Sequence, residues 1–245
     1  MNYIGDPEFQ TDHWEQQFFN DNCALVAQTT ILEQFGVDIT QEEACYIAYE
    51  NGWYTPGSGT SPEDMGNLLE AAGVPVHHVQ NATILDLAHE LQQGHRVMVG
   101  VNSSELWEQG NQADFWNWVK EAFGLDTPQF SPADHAICVT GIDMSDPSNP
   151  QIIINDSGVA DGAGKSYPLD EFADAWQNSD FRYVATDVAP PSGVIPDFDI
   201  GSFLGIGTTL VVAGATSDIV LATQAGEFVH TLCNEIDWDQ IITAV

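Results

Sequence analysis

The chain has 245 residues, of which 43% are hydrophobic, and is therefore long enough for one sizeable core and an appendage. It has 37 acidic residues and only four basic ones, which gives a formal net charge of -33. A surface of this charge repels nucleic acid and anionic membranes, so we expect neither as a partner, whereas high salt or divalent cations would screen its self-repulsion.

We expect no targeting segment at the start of this sequence. The first 12 residues lack both the basic start and the apolar core of a secretory signal. No stretch reaches the ~20 consecutive apolar residues that a membrane span needs. The sequence therefore favours a cytoplasmic location, without defining the compartment further.

Residues 17–23 place a glutamine six residues ahead of a cysteine that begins an apolar periodic segment. The periodic apolar residues and a closing glycine predict a helix over residues 23–36. The free N–H groups and partial positive charge at a helix N-terminus stabilise a thiolate, so Cys23 is a candidate nucleophile. Gln17 is a candidate donor to the oxyanion that forms when a thiolate attacks a carbonyl.

Further helices and then strands follow. Thr40 and Glu43 form a capping box for a helix that runs to about Asn51, and Ser61-Pro62 is expected to start another helix. The remaining predicted elements are a strand over 74–79, a helix over 83–93, and strands over 96–101, 135–142, 151–156 and 181–186. Helices first and an antiparallel sheet afterwards predict an α+β fold.

A histidine and a carboxylate follow the candidate nucleophile at the ends of two predicted strands. His135 opens one strand, and after a turn-forming run the next strand ends at Asp156. Two adjacent antiparallel strands would place these residues side by side, so that His135 activates Cys23 while Asp156 fixes the imidazole. Because neighbouring strand residues face opposite sides, only one of Asn155 and Asp156 can have this role.

This ordered set of residues resembles the C39-like cysteine peptidases of the papain-like superfamily. The resemblance covers roughly residues 10–185. At the nucleophile, Asn22-Cys23-Ala24-Leu25 stands where family members commonly carry Asp-Cys-Gly-Pro. Three further segments, which look like the family's second-helix region, first sheet strand and closing helix, lie at 59–74, 91–101 and 167–176.

The resemblance implies both a fold and an activity. The implied fold is papain-like α+β, with N-terminal helices packed on an antiparallel β-sheet. The implied activity is that of a hydrolase that cleaves a peptide or isopeptide bond in a peptide or protein substrate. Its catalytic residues would be the triad of Cys23, His135 and Asp156, with Gln17 as the oxyanion donor.

We expect neither a cofactor nor a metal site. The four cysteines form no CxxC pair and no zinc-ligand spacing, and they are too few in so long a chain for a disulfide framework. Cys45 and Cys138 lie among apolar neighbours and are expected to fill the core. His77 and His78 are adjacent on a predicted strand, so their side chains point to opposite faces and do not converge on a metal.

The composition divides the chain into three parts. Residues 1–188 form the C39-like domain, residues 189–197 form a Pro-rich linker, and residues 198–245 form a C-terminal extension. Within the domain, an aromatic-rich stretch around 114–123 predicts a lid helix or a wall of the substrate cleft. The extension contains an apolar, uncharged run over 203–215, which would pack on the body or mediate self-association.

A second interpretation of the whole chain remains open. The protein could be a catalytically weak or inactive C39-like interaction module that forms homo-oligomers through residues 198–245. A thiol-reactive probe that labels Cys23 in a His135-dependent way would distinguish the peptidase from this module.

Overall fold

The structure, a computed structural model, describes residues 3–107, 133–146, 148–191 and 198–199. The helices in these ranges are α1 (Pro7–Thr11), α2 (Cys23–Gln34), α3 (Gln41–Glu50), α4 (Asn67–Ala71), α5 (Ile84–Gln92), α6 (Ser103–Trp107) and α7 (Leu169–Gln177). The strands are β1 (Tyr3–Gly5), β2 (Val37–Asp38), β3 (Val76–Val79), β4 (Val97–Val101), β5 (His135–Asp143), β6 (Gln151–Asn155), β7 (Lys165–Pro168), β8 (Tyr183–Thr186) and β9 (Phe198–Asp199). None of these helices is long and apolar enough to cross a membrane.

One antiparallel sheet forms the centre of the described fold. Its strands lie in the order β3-β8-β4-β5-β6-β7, and β1 pairs with the far end of β5. The start of β5 pairs with β4, so that His135 lies opposite Val101. On its other edge β5 pairs with β6. Three strands therefore fix β5, and with it the position of His135.

Both faces of this sheet are buried. Val97 and Val99 of β4 belong to the core formed with α5 and α7, whereas Met98 between them belongs to the core formed with α2, α3 and α4. Alternate residues of a strand point to opposite faces, so a strand covered on both sides must be apolar throughout. The expected papain-like α+β fold, with helices packed on an antiparallel sheet, is confirmed.

The expectation that Ser61-Pro62 starts the third helix is wrong, because α4 begins at Asn67. Ser61 lies in a turn, where its hydroxyl donates to the Asp64 carboxylate at 2.7 Å. The Asp64 carboxylate also accepts a hydrogen bond from the Asn67 side chain at 3.1 Å. The polar side chains that predicted a helix start therefore stabilise the turn that precedes the helix.

The N-terminus of α4 is capped by a residue of another helix. Gly66 precedes α4 in the left-handed conformation, with a φ of 97°, and has no side chain to cap the helix. The buried side chain of Gln28 in α2 replaces it, since its Oε1 accepts from the N–H groups of Gly66 and Leu68, both at 3.0 Å. The first N–H groups of a helix have no intrahelical partner, so the start of α4 depends on α2.

Replacing Gln28 with alanine should lower the free energy of unfolding by about 1–3 kcal/mol, because two buried main-chain N–H groups lose their acceptor. Gln34→Ala is the matched control. Gln34 is also a buried residue of α2, but its amide only donates to the Thr30 oxygen of its own helix, at 3.0 Å. Denaturant unfolding of both variants measures the difference, and equal losses would contradict the capping role.

Parts of the predicted organisation lie outside the described residues. These parts are the helix over 114–123 and the extension beyond residue 199. The main chain of β9 pairs in parallel with β2, with Phe198 opposite Val37, so the first residues after the Pro-rich stretch contact the body. The division at 188 and 198, and self-association through the extension, stay predictions.

Candidate active site

Cys23 is the first residue of α2 and contacts the strand that carries the candidate base. Its side chain is half-buried, and its Sγ accepts a hydrogen bond from the main-chain N–H of Ala136 at 3.4 Å. Ala136 directly follows His135 on β5, so this bond holds the candidate nucleophile against that strand. Cys23 and His135 both line a cleft of about 390 Å³.

His135 connects the thiol to a buried carboxylate. Its Nε2 lies 2.7 Å from Oδ1 of Asp156, and both side chains are buried. The His135 side chain also interacts with the Cys23 thiol, and this interaction raises the pKa of His135. Because Nε2 is engaged by Asp156, Nδ1 is the nitrogen left for the thiol. The structure thus brings Cys23, His135 and Asp156 together in the order thiol, imidazole, carboxylate.

The charges at this site favour a protonated imidazole. Burial lowers the pKa of His135, but hydrogen bonds and charge interactions with Asp156 and Cys23 outweigh it and raise this pKa to about 10. Burial also raises the pKa of Asp156, yet hydrogen bonds from His135, Trp107 and Gly158 leave that pKa below its ordinary value. Near neutral pH, His135 is therefore an imidazolium and Asp156 a carboxylate.

Asp156 contacts the imidazole, and its neighbour Asn155 does not share this position. The Asn155 amide donates to the main-chain oxygen of Gln10 at 2.7 Å, and its Oδ1 accepts from the N–H of Gly164 at 2.9 Å. Successive side chains at the end of a strand point to opposite sides, which separates the two residues. Asn155 therefore ties together the surrounding main chain.

The main chain of Asp156 is also held on both sides. Its N–H donates to the Gly162 oxygen at 2.9 Å, and its oxygen accepts from the indole N–H of Trp14 at 2.8 Å. A Cβ at position 162 would overlap the main-chain oxygen of Asp156. The turn after β6 therefore requires glycine at position 162 to keep Asp156 in place.

Gln17 is anchored to the same turn through Ser157. Its N–H donates to the Ser157 oxygen at 2.9 Å, and its Oε1 accepts from the Ser157 hydroxyl at 3.0 Å. Its Nε2 donates to the Phe19 oxygen at 2.7 Å, which uses one of the two amide hydrogens. The described residues that line the cleft include Cys23 but not Gln17. The structure therefore places Gln17 beside the Asp156 turn, with its amide partly engaged.

Two residues at this site were missed by the sequence reasoning. The Trp107 indole N–H donates to Oδ2 of Asp156 at 2.8 Å, and its ring lies edge-on to His135 with the centroids 5.2 Å apart. The Gly158 N–H donates to Oδ1 of Asp156 at 2.8 Å. In the sequence Trp107 is only an aromatic residue near a predicted strand, and Gly158 only a turn residue. No local pattern connects either of them to Asp156.

Two further carboxylates that line the cleft are engaged in structural hydrogen bonds. Asp21 accepts from the Tyr54 hydroxyl at 2.9 Å and from the N–H of Gly57 at 2.5 Å. Asp134 accepts from the N–H of Ser103 at 2.8 Å and from its hydroxyl at 3.1 Å. These bonds fix the walls of the cleft on either side of Cys23 and His135.

The described residues contain no group of three or more His, Cys, Asp or Glu side chains that could hold a metal ion. Both ring nitrogens of His77 contact carboxylates, Asp187 at 2.7 Å and Glu90 at 3.3 Å. Burial raises the pKa of Cys45 and that of Cys138 to about 12, so these two thiols stay protonated near neutral pH. They fill the core, whereas Cys23 borders the cleft.

Helices on an antiparallel sheet, with a cysteine at a helix start beside a buried His–Asp pair, have the arrangement typical of papain-like cysteine peptidases. The chain belongs to the Peptidase_C39 like family, whose model matches residues 6–184. The family expected from the sequence is therefore confirmed.

Solved structures with a similar fold include one described as a C39-like peptidase from Bacillus anthracis. It has a TM-score of 0.50 and 13% identity, over 73% of this chain and 95% of that one. The peptidase domain of Streptococcus ComA, a bifunctional ABC transporter involved in a quorum-sensing pathway, has a TM-score of 0.46 and 15% identity, over 73% and 98% of the two chains. A search of curated proteins gave no match. At such low identity, the first of these structures shows a likeness of fold alone.

Gly158→Ala should disturb the site without removing a functional group. A Cβ at position 158 would lie 2.7 Å from Cζ2 of Trp107 and 3.0 Å from Cε1 of His135, and both rings are rigid. The added methyl group would displace the His135 ring from Cys23, and small misplacements of a catalytic group cost large factors in rate. We therefore expect alkylation of Cys23 by iodoacetamide to slow on the order of 10- to 100-fold.

Gly52→Ala is the control for a general loss of stability. Gly52 has a φ of 74°, which disfavours alanine, but a Cβ there meets no atom within 4 Å. Both variants are compared by thermal unfolding and by peptide mapping of the alkylated protein. A Gly158→Ala protein that alkylates at the wild-type rate would show that the packing around His135 tolerates a methyl group.

Proposed function

We propose that the protein is a cysteine peptidase-like hydrolase that cleaves a peptide or isopeptide bond through Cys23, His135 and Asp156. The proposal depends on the continuous series of contacts from the Cys23 thiol through the His135 imidazole to the Asp156 carboxylate. The first two of these residues open on a cleft. Membership of the C39-like family supports a peptide or protein as the substrate.

In the first half of the proposed reaction, the Cys23 thiolate attacks the carbonyl carbon of the scissile bond. The carbon–nitrogen bond then breaks while the His135 imidazolium donates its Nδ1 proton to the leaving nitrogen. The acyl group remains on the sulfur as a thioester. Holding thiolate and imidazolium together beforehand lets one encounter with the substrate supply both nucleophile and acid.

In the second half, water hydrolyses the thioester. The neutral His135 takes a proton from a water molecule whose oxygen attacks the thioester carbonyl. The carbon–sulfur bond breaks, the acid product leaves, and the thiolate and imidazolium are restored. Throughout the reaction, Asp156 accepts a hydrogen bond from the Nε2–H of His135. This bond keeps Nδ1 directed at the reacting groups and stabilises the imidazolium.

The oxyanion that forms in each half needs hydrogen-bond donors. The main-chain N–H of Cys23 is at the start of a helix, where N–H groups have no intrahelical acceptor. The second amide hydrogen of Gln17 is our candidate for a side-chain donor. Ser157 bonds both the main chain and Oε1 of Gln17, so this amide is oriented before substrate arrives.

Iodoacetamide should label Cys23 faster than Cys45 and Cys138, because of these three described thiols only Cys23 interacts with an imidazolium that can stabilise its thiolate. His135→Ala should slow this labelling near neutral pH, and Cys23→Ala should abolish both the label and any hydrolysis. Peptide mapping by mass spectrometry identifies the labelled thiol, with Cys45→Ala as the control. Labelling that does not depend on His135 would contradict the peptidase and favour a non-catalytic module.

Gln17→Ala should separate hydrolysis from thiol reactivity. Loss of one oxyanion donor should lower kcat on the order of 10²-fold for whichever library peptide the wild-type protein cleaves. Alkylation of Cys23 develops no oxyanion, so its rate should stay near the wild-type value in this variant. A parallel loss of both rates would assign Gln17 to the structure of the loop rather than to the oxyanion.

A further inference from the structure

Helix α6 contacts the residue that precedes His135 and the carboxylate of Asp156. At its start, Ser103 donates through its N–H and its hydroxyl to the carboxylate of Asp134, the residue before His135. At its end, Trp107 donates through Nε1 to Oδ2 of Asp156 at 2.8 Å. One short helix therefore fixes both the approach to His135 and the carboxylate that contacts it.

We infer that Trp107 is a positioning residue for the proposed hydrolase, which sets the Asp156 carboxylate and through it the His135 imidazole. The inference rests on the proposed function, because it concerns the same Cys23–His135–Asp156 series. Trp107 is not assigned a contact with substrate.

The two oxygens of Asp156 have different partners. Oδ1 accepts from His135 and from the N–H of Gly158. Among the described residues, Trp107 is the donor recorded for Oδ2. A carboxylate held only at Oδ1 can rotate about its bond to Cβ, whereas donors at both oxygens fix its plane. The Trp107 bond therefore sets the direction in which Oδ1 meets Nε2 of His135.

The Trp107 ring adds a second effect, because it packs edge-on against His135 with a centroid distance of 5.2 Å. A ring packed against one member of an ion pair keeps water from that side, and the lower local dielectric strengthens the hydrogen bond between the charged groups. Trp107 is itself 44% exposed, so its replacement by another aromatic residue should leave the core of the protein intact.

Removal of the indole donor has a defined effect on protonation. The Trp107 hydrogen bond is one of the interactions that keep the pKa of Asp156 low against the effect of burial. Without it, Asp156 takes up a proton at a higher pH, and the imidazolium that stabilises the Cys23 thiolate loses its partner there. Within the described residues, the other titratable groups that interact with Asp156 are His135, Lys165 and Tyr167. Trp107→Phe removes none of these groups, and it keeps an aromatic ring beside His135.

The chain provides a matched control in Trp14. Its indole N–H also donates to Asp156 at 2.8 Å, but to the main-chain oxygen and not to the carboxylate. Trp14→Phe and Trp107→Phe thus remove the same type of bond from the same residue. Only Trp107→Phe changes the donors of the carboxylate.

The test is the pH dependence of Cys23 alkylation by iodoacetamide in the full chain. In Trp107→Phe the acid limb should move to higher pH by about one unit, the size expected for one lost hydrogen bond. In Trp14→Phe the acid limb should stay at the wild-type pH, even if the protein unfolds at a lower temperature. An unmoved acid limb in Trp107→Phe, or equal shifts in both variants, would overturn the inference.

A measurement on the unaltered protein covers the case in which Trp107→Phe does not fold. In protein with ¹⁵N-labelled tryptophan, the Trp107 indole N–H signal is identified by its contact with the His135 ring. Its chemical shift should change over the same pH range as the acid limb of Cys23 alkylation. The Trp14 signal should not follow that titration, and a pH-independent Trp107 signal would overturn the inference. The proposed function is tested separately: it fails if Cys23 in the His135→Ala variant is alkylated at the wild-type rate.

Discussion

A carboxylate removed from water is costly unless it is paired and hydrogen-bonded, and Asp156 is fully buried. Its side chain meets His135, Trp107 and Gly158, while its main chain meets Gly162 and Trp14. These partners come from the N-terminal segment, α6, the start of β5 and the turn after β6. Satisfying one negative charge therefore brings together parts of the chain that are far apart in sequence, and one of them, the start of β5, carries His135 to the cleft.

The scarcity of lysine and arginine determines how the other acids near the centre of the molecule are satisfied. With four basic residues for 37 acidic ones, most carboxylates cannot pair with lysine or arginine, and those near the centre contact neutral donors or histidine. Asp134 uses Ser103, Asp21 uses Tyr54 and Gly57, and the buried Glu90 contacts His77, His95 and Tyr183. Such bonds are directional, so they define geometry more narrowly than a lysine charge would.

The sequence carried enough information to predict the fold and to indicate where the site residues would meet. Cys23 begins a helix, His135 begins a strand, and Asp156 follows the next strand, so periodicity and turns alone predict the order of these elements. The start of α4 and the contacts of Trp107 were missed for one physical reason. The cap from Gln28 and the indole bond to Asp156 join residues 38 and 49 positions apart, which no local propensity reports.

The absence of a side chain at position 162 also limits how this protein can change. Gly162 carries no functional group, yet any larger residue would collide with the main-chain oxygen of Asp156. Such a substitution would displace the carboxylate while Cys23, His135 and Asp156 all stayed in the sequence. The tolerance of the site to mutation is therefore governed as much by empty space in a turn as by the side chains of Cys23, His135 and Asp156. Loss of their arrangement can begin at a residue that has no functional group of its own.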